Sequence, residues 1–379
     1  MKNKKNNALI DLNMRHTLLS ILIMASTTAM AQTQVTEYHP GMTAEGVVYY
    51  LPKTSIKVAV RVEKTTYTPG EFCKYADKYL RANNVKDEGY STYKIVGTNI
   101  YSYGEADKQK AYALKVNPKT AACNVRLADD GRLLAVNTDA PEEKPLPQPF
   151  KPAVKAAAAD PRSFLSQEIL AAGSITKMAE LTASEIYDIR ESRNSLTKGE
   201  ADFMPKDGEQ LRLMLNSLDQ QDRLLSSMFL GTISKDTTET VFTITPDNEI
   251  EKQVLFRMSS KLGLIDSDDM AGSPYYIYIK DLQTLPKTEI LDEKAQKAKE
   301  KAEQAAKEKG NGLFVNVPSK MRVTIAEGNN KVAEYETTAG QFGRVELLSG
   351  DLFNKRFTTR LTLDPQSGAV DKLTAEEPK

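Results

Sequence analysis

The sequence predicts an α+β protein in which two small β-rich lobes flank a central helical hairpin with a small sheet. Three observations support this fold class. Segments that alternate apolar and polar residues, the clearest at 56–62, predict strands on both sides of the middle of the chain. Two longer segments repeat apolar residues every three or four positions, which predicts amphipathic helices between them. Proline and glycine separate these segments, so we expect short loops.

Length and composition indicate a folded, multidomain protein. The chain has 379 residues, which is enough for two or three domains with their own cores. Hydrophobic residues make up 40% of the chain and charged residues 27%. These fractions are ordinary for a globular protein and indicate neither disorder nor a membrane bundle.

Residues 1–31 have the pattern of a secretory signal peptide. Basic residues precede a short apolar run at 18–24, and the small residues Ala29 and Ala31 mark a cleavage site. The run is too short to span a membrane. We therefore expect cleavage before Gln32 and export to the periplasm or outer envelope, where the protein would be soluble and without a transmembrane span.

The remaining chain is slightly acidic, because most charged residues in 1–31 are basic. A weak negative charge argues against nucleic acid as a partner. Cys73 and Cys123 would lie in a compartment where disulfides persist. The sequence leaves open whether they form a bridge, since this depends on the distance between their Cα atoms. The alternative for Cys73 is a buried free thiol.

Residues 32–138 are predicted to form the N-terminal β-rich lobe with one helix. Pro52 separates strands at 47–51 and 56–62, and Pro69 introduces the helix. Further strands are predicted at 93–96, 99–103, 111–116, 123–127 and 133–136.

The middle of the chain contains a proline-rich segment and the helical hairpin. Residues 139–160 are rich in proline and alanine, which predicts an extended linker or surface strap. The region 161–288 follows, and Asp207 is placed to cap the second helix of its hairpin. The helical period covers 175–196 and 211–229. Strands that form the small sheet are predicted at 240–245, 253–258 and 275–279.

Residues 289–311 consist almost wholly of Lys, Glu, Gln and Ala, which predicts a solvated charged helix. The C-terminal β lobe then covers 312–379.

Two proline-containing strand signatures in the C-terminal lobe, around Pro318 and Pro365, resemble those around Pro52 and Pro118. This recurrence indicates an internal duplication of a small β unit. The alternative is that turns of the Asn/Asp-Pro type recur by chance, since their local chemistry favours them anyway. The sequence leaves both interpretations open.

No catalytic, cofactor-binding or metal-binding site is predicted. His39 is the only histidine beyond residue 31, which argues against histidine-based zinc sites and Ser-His-Asp triads. The segment 195–198 fits Ser-x-x-Lys but lacks the companion motif of acyl-transfer enzymes. The acidic segment 266–269 lacks the glycine and glutamate of a calcium loop. There is no phosphate-binding glycine loop.

Tyrosines on predicted strands are the candidate ligand-facing residues, namely Tyr101, Tyr103 and Tyr276. A tyrosine on a sheet face can stack on a sugar or a peptide through its ring and bind through its hydroxyl group. The alternative is a structural role, because strands favour tyrosine anyway.

Three functional hypotheses follow. The main one is a non-catalytic exported envelope protein that binds another protein or serves a structural role, since strand edges can accept a partner strand. The second is a carbohydrate- or peptide-binding module that uses the tyrosine-bearing faces. The third is a carboxylate-based hydrolase, because paired acids need no histidine.

Several stretches also resemble one family of proteins. They lie at 50–54, 69–72, 75–76, 79–80, 186–193, 199–200, 205–208, 229–231 and 341–343. Together they resemble a family of secreted Bacteroidetes proteins that carries only a "domain of unknown function" label. The resemblance covers nearly all of the chain after residue 31 and implies a Gram-negative envelope protein. It implies no catalytic residues.

Overall fold

The computed structural model describes residues 34–39, 46–115, 124–155, 159–285, 312–349, 352 and 358–376. The predicted signal peptide at 1–31, the charged helix at 289–311, Pro118 and Cys123 lie outside this range. Cys73 is a half-buried free cysteine.

The described chain is mostly β. Its strands are β1 (Gln34–Glu37), β2 (Val47–Thr68), β3 (Tyr90–Lys115), β4 (Val125–Leu127), β5 (Leu133–Val136), β6 (Thr232–Ile244), β7 (Ile250–Ser259), β8 (Gly263–Ile265), β9 (Ser273–Asp281), β10 (Gly312–Glu327), β11 (Asn330–Ser349), β12 (Thr358–Leu363) and β13 (Val370–Glu376). Its α-helices are α1 (Ala76–Leu80), α2 (Gln167–Leu170), α3 (Ile175–Lys198) and α4 (Gly208–Leu230). Short 3-10 turns lie at Cys73–Tyr75 and Pro161–Phe164.

The strands form three antiparallel sheets. The first sheet has the order β1-β3-β2-β6, the second β11-β10-β9-β7-β8 and the third β13-β12-β5-β4. The first and second sheets are each built on a long hairpin, formed by β2 with β3 and by β10 with β11. The third sheet combines strands that are far apart in the sequence, since β12 pairs with β5.

A proline interrupts the pairing in each long hairpin. The register shifts between Tyr50 and Pro52 in β2, and between Val317 and Ser319 in β10. Proline has no N–H group to donate to the ladder, and the resulting bulge bends the strand. The segments predicted as separate strands at 47–51 and 56–62 are therefore one bent strand.

The bend lets one strand contribute to two hydrophobic cores. Beyond the bulge, Ile56, Val58 and Val60 of β2 pack against Ile277 and Val323 of the second sheet. Before the bulge, Tyr49 and Leu51 belong to the core that the third sheet closes. That core also contains Leu114, Leu133, Phe314, Leu361 and Leu363.

The third core is helical and lies at the far end of β2. It contains Phe72, Ala76, Ile186, Leu225 and Phe229. The Phe72 N–H donates to the Met228 carbonyl at 2.7 Å, and Thr68 at the end of β2 pairs with Thr232 at the start of β6. Gly70 permits this approach, because a Cβ there would lie 2.2 Å from the Met228 oxygen. The helices are therefore attached to the end of the first sheet.

These observations contradict the predicted architecture of two β lobes around a central helical hairpin. The N-terminal and C-terminal hairpins pack face to face, and the helices form a unit at one end. Hydrophobic periodicity predicts that a strand or helix has a buried face, but it does not identify what covers that face. The predicted N-cap is confirmed, since the Asp207 side chain accepts the Glu209 N–H at 3.3 Å.

A matched pair of substitutions in α4 tests this placement of the helices. Leu225 is 1% exposed in the helical core, whereas Leu215 on the same helix is half-buried. We expect Leu225→Ala to lower the free energy of unfolding by about 2–5 kcal/mol, and Leu215→Ala to have a clearly smaller effect, because less packing is lost there. Urea unfolding followed by circular dichroism measures both. Equal losses would contradict this assignment of the core.

Candidate functional site

Two of the predicted ligand-facing tyrosines lie together on the outer face of the first sheet. Side chains alternate along β3, so Tyr101 and Tyr103 point away from the core that receives Ile100. Lys57 of β2 pairs with Tyr101, and its Nζ atom lies 4.7 Å from the centroid of the Tyr103 ring. This is a cation–π contact. It gives the face an aromatic surface with a positive charge beside it.

The electrostatic environment keeps the Tyr101 hydroxyl group protonated. Burial, followed by the nearby Glu239 carboxylate and Tyr103, raises the pKa of Tyr101 above its ordinary value. A protonated hydroxyl group both donates and accepts hydrogen bonds. A tyrosine hydroxyl group is already protonated at neutral pH, and this shift extends the protonated form of the half-buried Tyr101 to higher pH.

An extended segment lies against the same sheet. Residues 139–155, which we call the strap, contain neither helix nor strand. At its start Glu143 pairs with the guanidinium group of Arg132 at 2.8 Å, and Arg132 is only 6% exposed. Arg132 also binds Asp130 at 2.7 Å. The strap is therefore attached to a buried guanidinium group through an exposed carboxylate.

The second attachment of the strap is at β6. The Phe150 N–H donates to Glu239 at 3.1 Å, and the Phe150 ring lies 4.9 Å from the guanidinium carbon of Arg61. Lys155 pairs with Asp236. The hydrogen bond from Arg61, and then that from Phe150, hold the pKa of Glu239 below its ordinary value, although burial opposes them. Glu239 therefore carries a negative charge that links the strap to the sheet.

The third predicted residue, Tyr276, lies elsewhere. It is on β9 of the second sheet, where its neighbours Tyr275 and Ile277 point into the core. The outer faces of the first and second sheets are on opposite sides of the core between them. Lys252 lies 4.3 Å from the Tyr276 ring centroid. The structure thus brings Tyr101 and Tyr103 together and leaves Tyr276 apart.

One open cleft of about 560 Å³ carries several acidic side chains. It is lined by Asn248, Glu249, Glu251, Asp281, Gln283 and Phe342. Asp281 accepts hydrogen bonds from the Ser319 hydroxyl at 2.5 Å and from the Gln283 N–H at 2.9 Å. Glu249 accepts the Asp281 N–H at 2.7 Å. These bonds fix the end of β9, and they support no assignment of a catalytic acid and base.

Sequence reasoning missed β13, which is an edge strand of the third sheet. Its seven residues, Val370–Glu376, are all exposed, and among the strands that the structure describes β13 pairs only with β12. The sequence pattern that would predict this strand is weak, because Asp371, Lys372 and Glu376 interrupt its apolar residues. The partners Arg61, Arg132 and Phe150 were also missed, since each acts through residues distant in the sequence.

The described part of the chain contains neither a metal-binding cluster nor a membrane-spanning helix. In that part, no group of three or more His, Cys, Asp or Glu side chains is placed to hold a metal ion. Among the helices it contains, none is long and apolar enough to cross a membrane.

Comparison with known proteins identifies the family alone. No curated protein and no solved structure matches the chain. The model of one protein family, described as "Domain of unknown function (DUF4831)", matches residues 45–371. This match spans both long hairpins, the strap and the helices, so the chain belongs to the DUF4831 family.

Proposed function

We propose that the protein is an exported, non-catalytic component of the cell envelope that binds another protein, and that β13 accepts a strand from this partner. The observation that carries the proposal is the free edge of β13. An edge strand presents unpaired backbone N–H and C=O groups, which an extended partner segment can complete as a further strand.

The inner face of the third sheet is incompletely covered at this edge. Leu361 and Leu363 of β12 are fully buried, whereas their cross-strand partners on β13, Leu373 and Val370, are 39% and 37% exposed. Cross-strand partners point to the same side of a sheet. An added strand would therefore extend the apolar face and cover both side chains, and hydrophobic burial would add to the backbone hydrogen bonds.

Charged residues make this edge selective. Asp371, Lys372 and Glu376 lie among the apolar residues of β13. Charges on an edge strand disfavour indiscriminate pairing. A partner strand that places opposite charges against them would gain affinity and specificity.

The pattern of residues 1–31 supports export, as does the resemblance to secreted proteins. We expect the mature protein to begin at Gln32. N-terminal sequencing of the protein from the envelope fraction of the native host measures this. A chain in the cytoplasm that retains Met1 or Met14 would contradict export.

A substitution at β13 tests partner binding. We place a photo-crosslinking amino acid at Thr374 and expect one reproducible adduct in the envelope. Leu373→Asp should reduce the yield of this adduct at least tenfold, because a charge would enter the apolar row that the partner covers. The same analysis on a gel gives both the yield and the adduct mass.

Val332→Asp is the matched control, since Val332 is 40% exposed and lies on β11 in the second sheet. It should leave the adduct unchanged. An adduct that survives Leu373→Asp, or that both variants abolish equally, would exclude β13 as the binding edge.

A second candidate function is carbohydrate or peptide binding by Tyr101 and Tyr103. The adjacency of these rings to Lys57 favours it, since aromatic faces with polar tips suit both ligand classes. The purified protein is applied to arrays of glycans and of peptides. Tyr101→Ala should abolish binding to any glycan or peptide that the unmodified protein binds there. Tyr276→Ala is the control on the opposite face and should retain binding. Loss with both variants would contradict a site on the first sheet.

A further inference from the structure

We propose that the free edge of β6 is built to pair with β6 of a second copy of this chain, and that the strap holds this edge closed. The inference concerns a different sheet edge from β13 and is independent of the proposed function. It starts from the position of β6. This strand has 13 residues, pairs with β2 without a register shift, and is the last strand of the first sheet.

The β6 sequence is self-complementary in one antiparallel register. A two-fold axis through Thr237 would place Lys235 of each copy opposite Glu239 of the other copy, which gives two pairs of opposite charge. It would also place Ile233 opposite Val241, and these side chains are 65% and 43% exposed on the outer face. Opposite charges and apolar pairs at directly opposed positions both stabilise a sheet.

Other symmetric registers are less favourable. Directly opposed residues of paired strands point to the same face of a sheet, whereas successive residues of one strand point to opposite faces. The two-fold axis must therefore pass through a residue and not between two residues. An axis through Asp236 would place two carboxylates against each other, and like charges at opposed positions destabilise pairing. An axis through Thr238 would place Lys235 opposite Val241 and lose the charge pairs. The sequence thus selects the register centred on Thr237.

Existing ion pairs would join those formed between the copies. Within the chain, Lys235 binds Glu63 at 3.0 Å and Glu239 binds Arg61 at 2.8 Å. In the proposed pairing the charges would alternate in sign across four strands, from Glu63 through Lys235 to Glu239 and Arg61 of the second copy. Such a network is a stronger interaction than an isolated surface pair.

The strap contacts β6 at the centre of this register. The Phe150 N–H donates to Glu239, whose side chain lies on the outer face with Arg61. Lys155 binds Asp236, whose side chain points to the opposite face of the strand. Successive side chains in a strand point to opposite faces. The strap therefore passes the outer edge of β6 between Phe150 and Lys155, and the half-buried Thr237 lies between its two contacts at Asp236 and Glu239.

Proline makes the strap a cover rather than a further strand. Prolines occur at 141, 145, 147, 149 and 152. Each lacks a backbone N–H group, so the strap cannot form a continuous ladder with β6. A second β6 strand has all its donors, and it would replace the strap if the strap were released.

The first experiment releases the strap from the full chain. We substitute Phe150→Pro, which removes both the ring and the backbone N–H that donates to Glu239, together with Lys155→Glu. Association is then measured by sedimentation velocity over a concentration series. The released variant should form a dimer with a dissociation constant at least tenfold below that of the unmodified protein. Lys151→Glu is the control, because it makes the same charge change in the strap without touching either contact. Lys155→Glu alone is a milder release that should shift association in the same direction.

The second experiment tests the register, in a background where Cys73 and Cys123 are replaced by Ala. Thr237→Cys in the released variant should form an intermolecular disulfide on oxidation, because directly opposed Cα atoms lie about 4.5–5.5 Å apart. Thr243→Cys should not, since its two copies would lie roughly 40 Å apart at ~3.4 Å per residue. Lys235→Glu should weaken the dimer at least tenfold by facing Glu239.

A released variant with a native circular dichroism spectrum that stays monomeric would overturn the proposal. A dimer that cross-links equally well through Thr243→Cys, or that is indifferent to Lys235→Glu, would overturn it as well, because the copies would then meet elsewhere.

Discussion

The interruption of strand pairing at Pro52 and Pro318 is the constraint on which the rest of the structure depends. A buried backbone group that loses its ladder partner costs about 1–3 kcal/mol unless another group satisfies it. Asn316 donates to the Pro52 carbonyl at 2.9 Å, and the Gln341 amide both donates to the Thr54 carbonyl at 2.8 Å and accepts its N–H at 2.9 Å. These side chains join the two long hairpins where each bends. The bends in turn let three sheets share two cores.

Local features of the fold could be predicted from the sequence, whereas the arrangement of its parts could not. The alternation at 56–62 and the helical period at 175–196 each correspond to an observed element, and Asp207 caps the second long helix. What covers each face depends on contacts between distant residues. Ile189 is 5% exposed and Leu215 is half-buried, although both belong to the same kind of apolar stripe. The sequence period does not distinguish them.

In the candidate site, too, the sequence predicts local features but not the contacts between distant residues. Tyr101 and Tyr103 are two residues apart on a strand, so alternation alone places them on one face. Tyr276 could not be placed relative to them, because the two sheets contact each other through residues that are distant in the sequence. The attachment of Phe150 to Glu239 brings together residues from different regions of the chain. A proline-rich composition predicts an extended strap, but not the strand that it crosses.

Among the edge strands of the described sheets, β6 and β13 limit unwanted pairing by different physical means, and this difference bears on their roles. A long regular edge such as β6 attracts any extended chain, so it requires a cover, and the strap meets β6 at Glu239 and Asp236. A short edge such as β13 offers fewer backbone groups, and its charged residues are sufficient to limit pairing. An edge that is covered can respond only after its cover moves, whereas an uncovered edge is available at all times. Constitutive binding therefore fits β13, and conditional pairing fits β6.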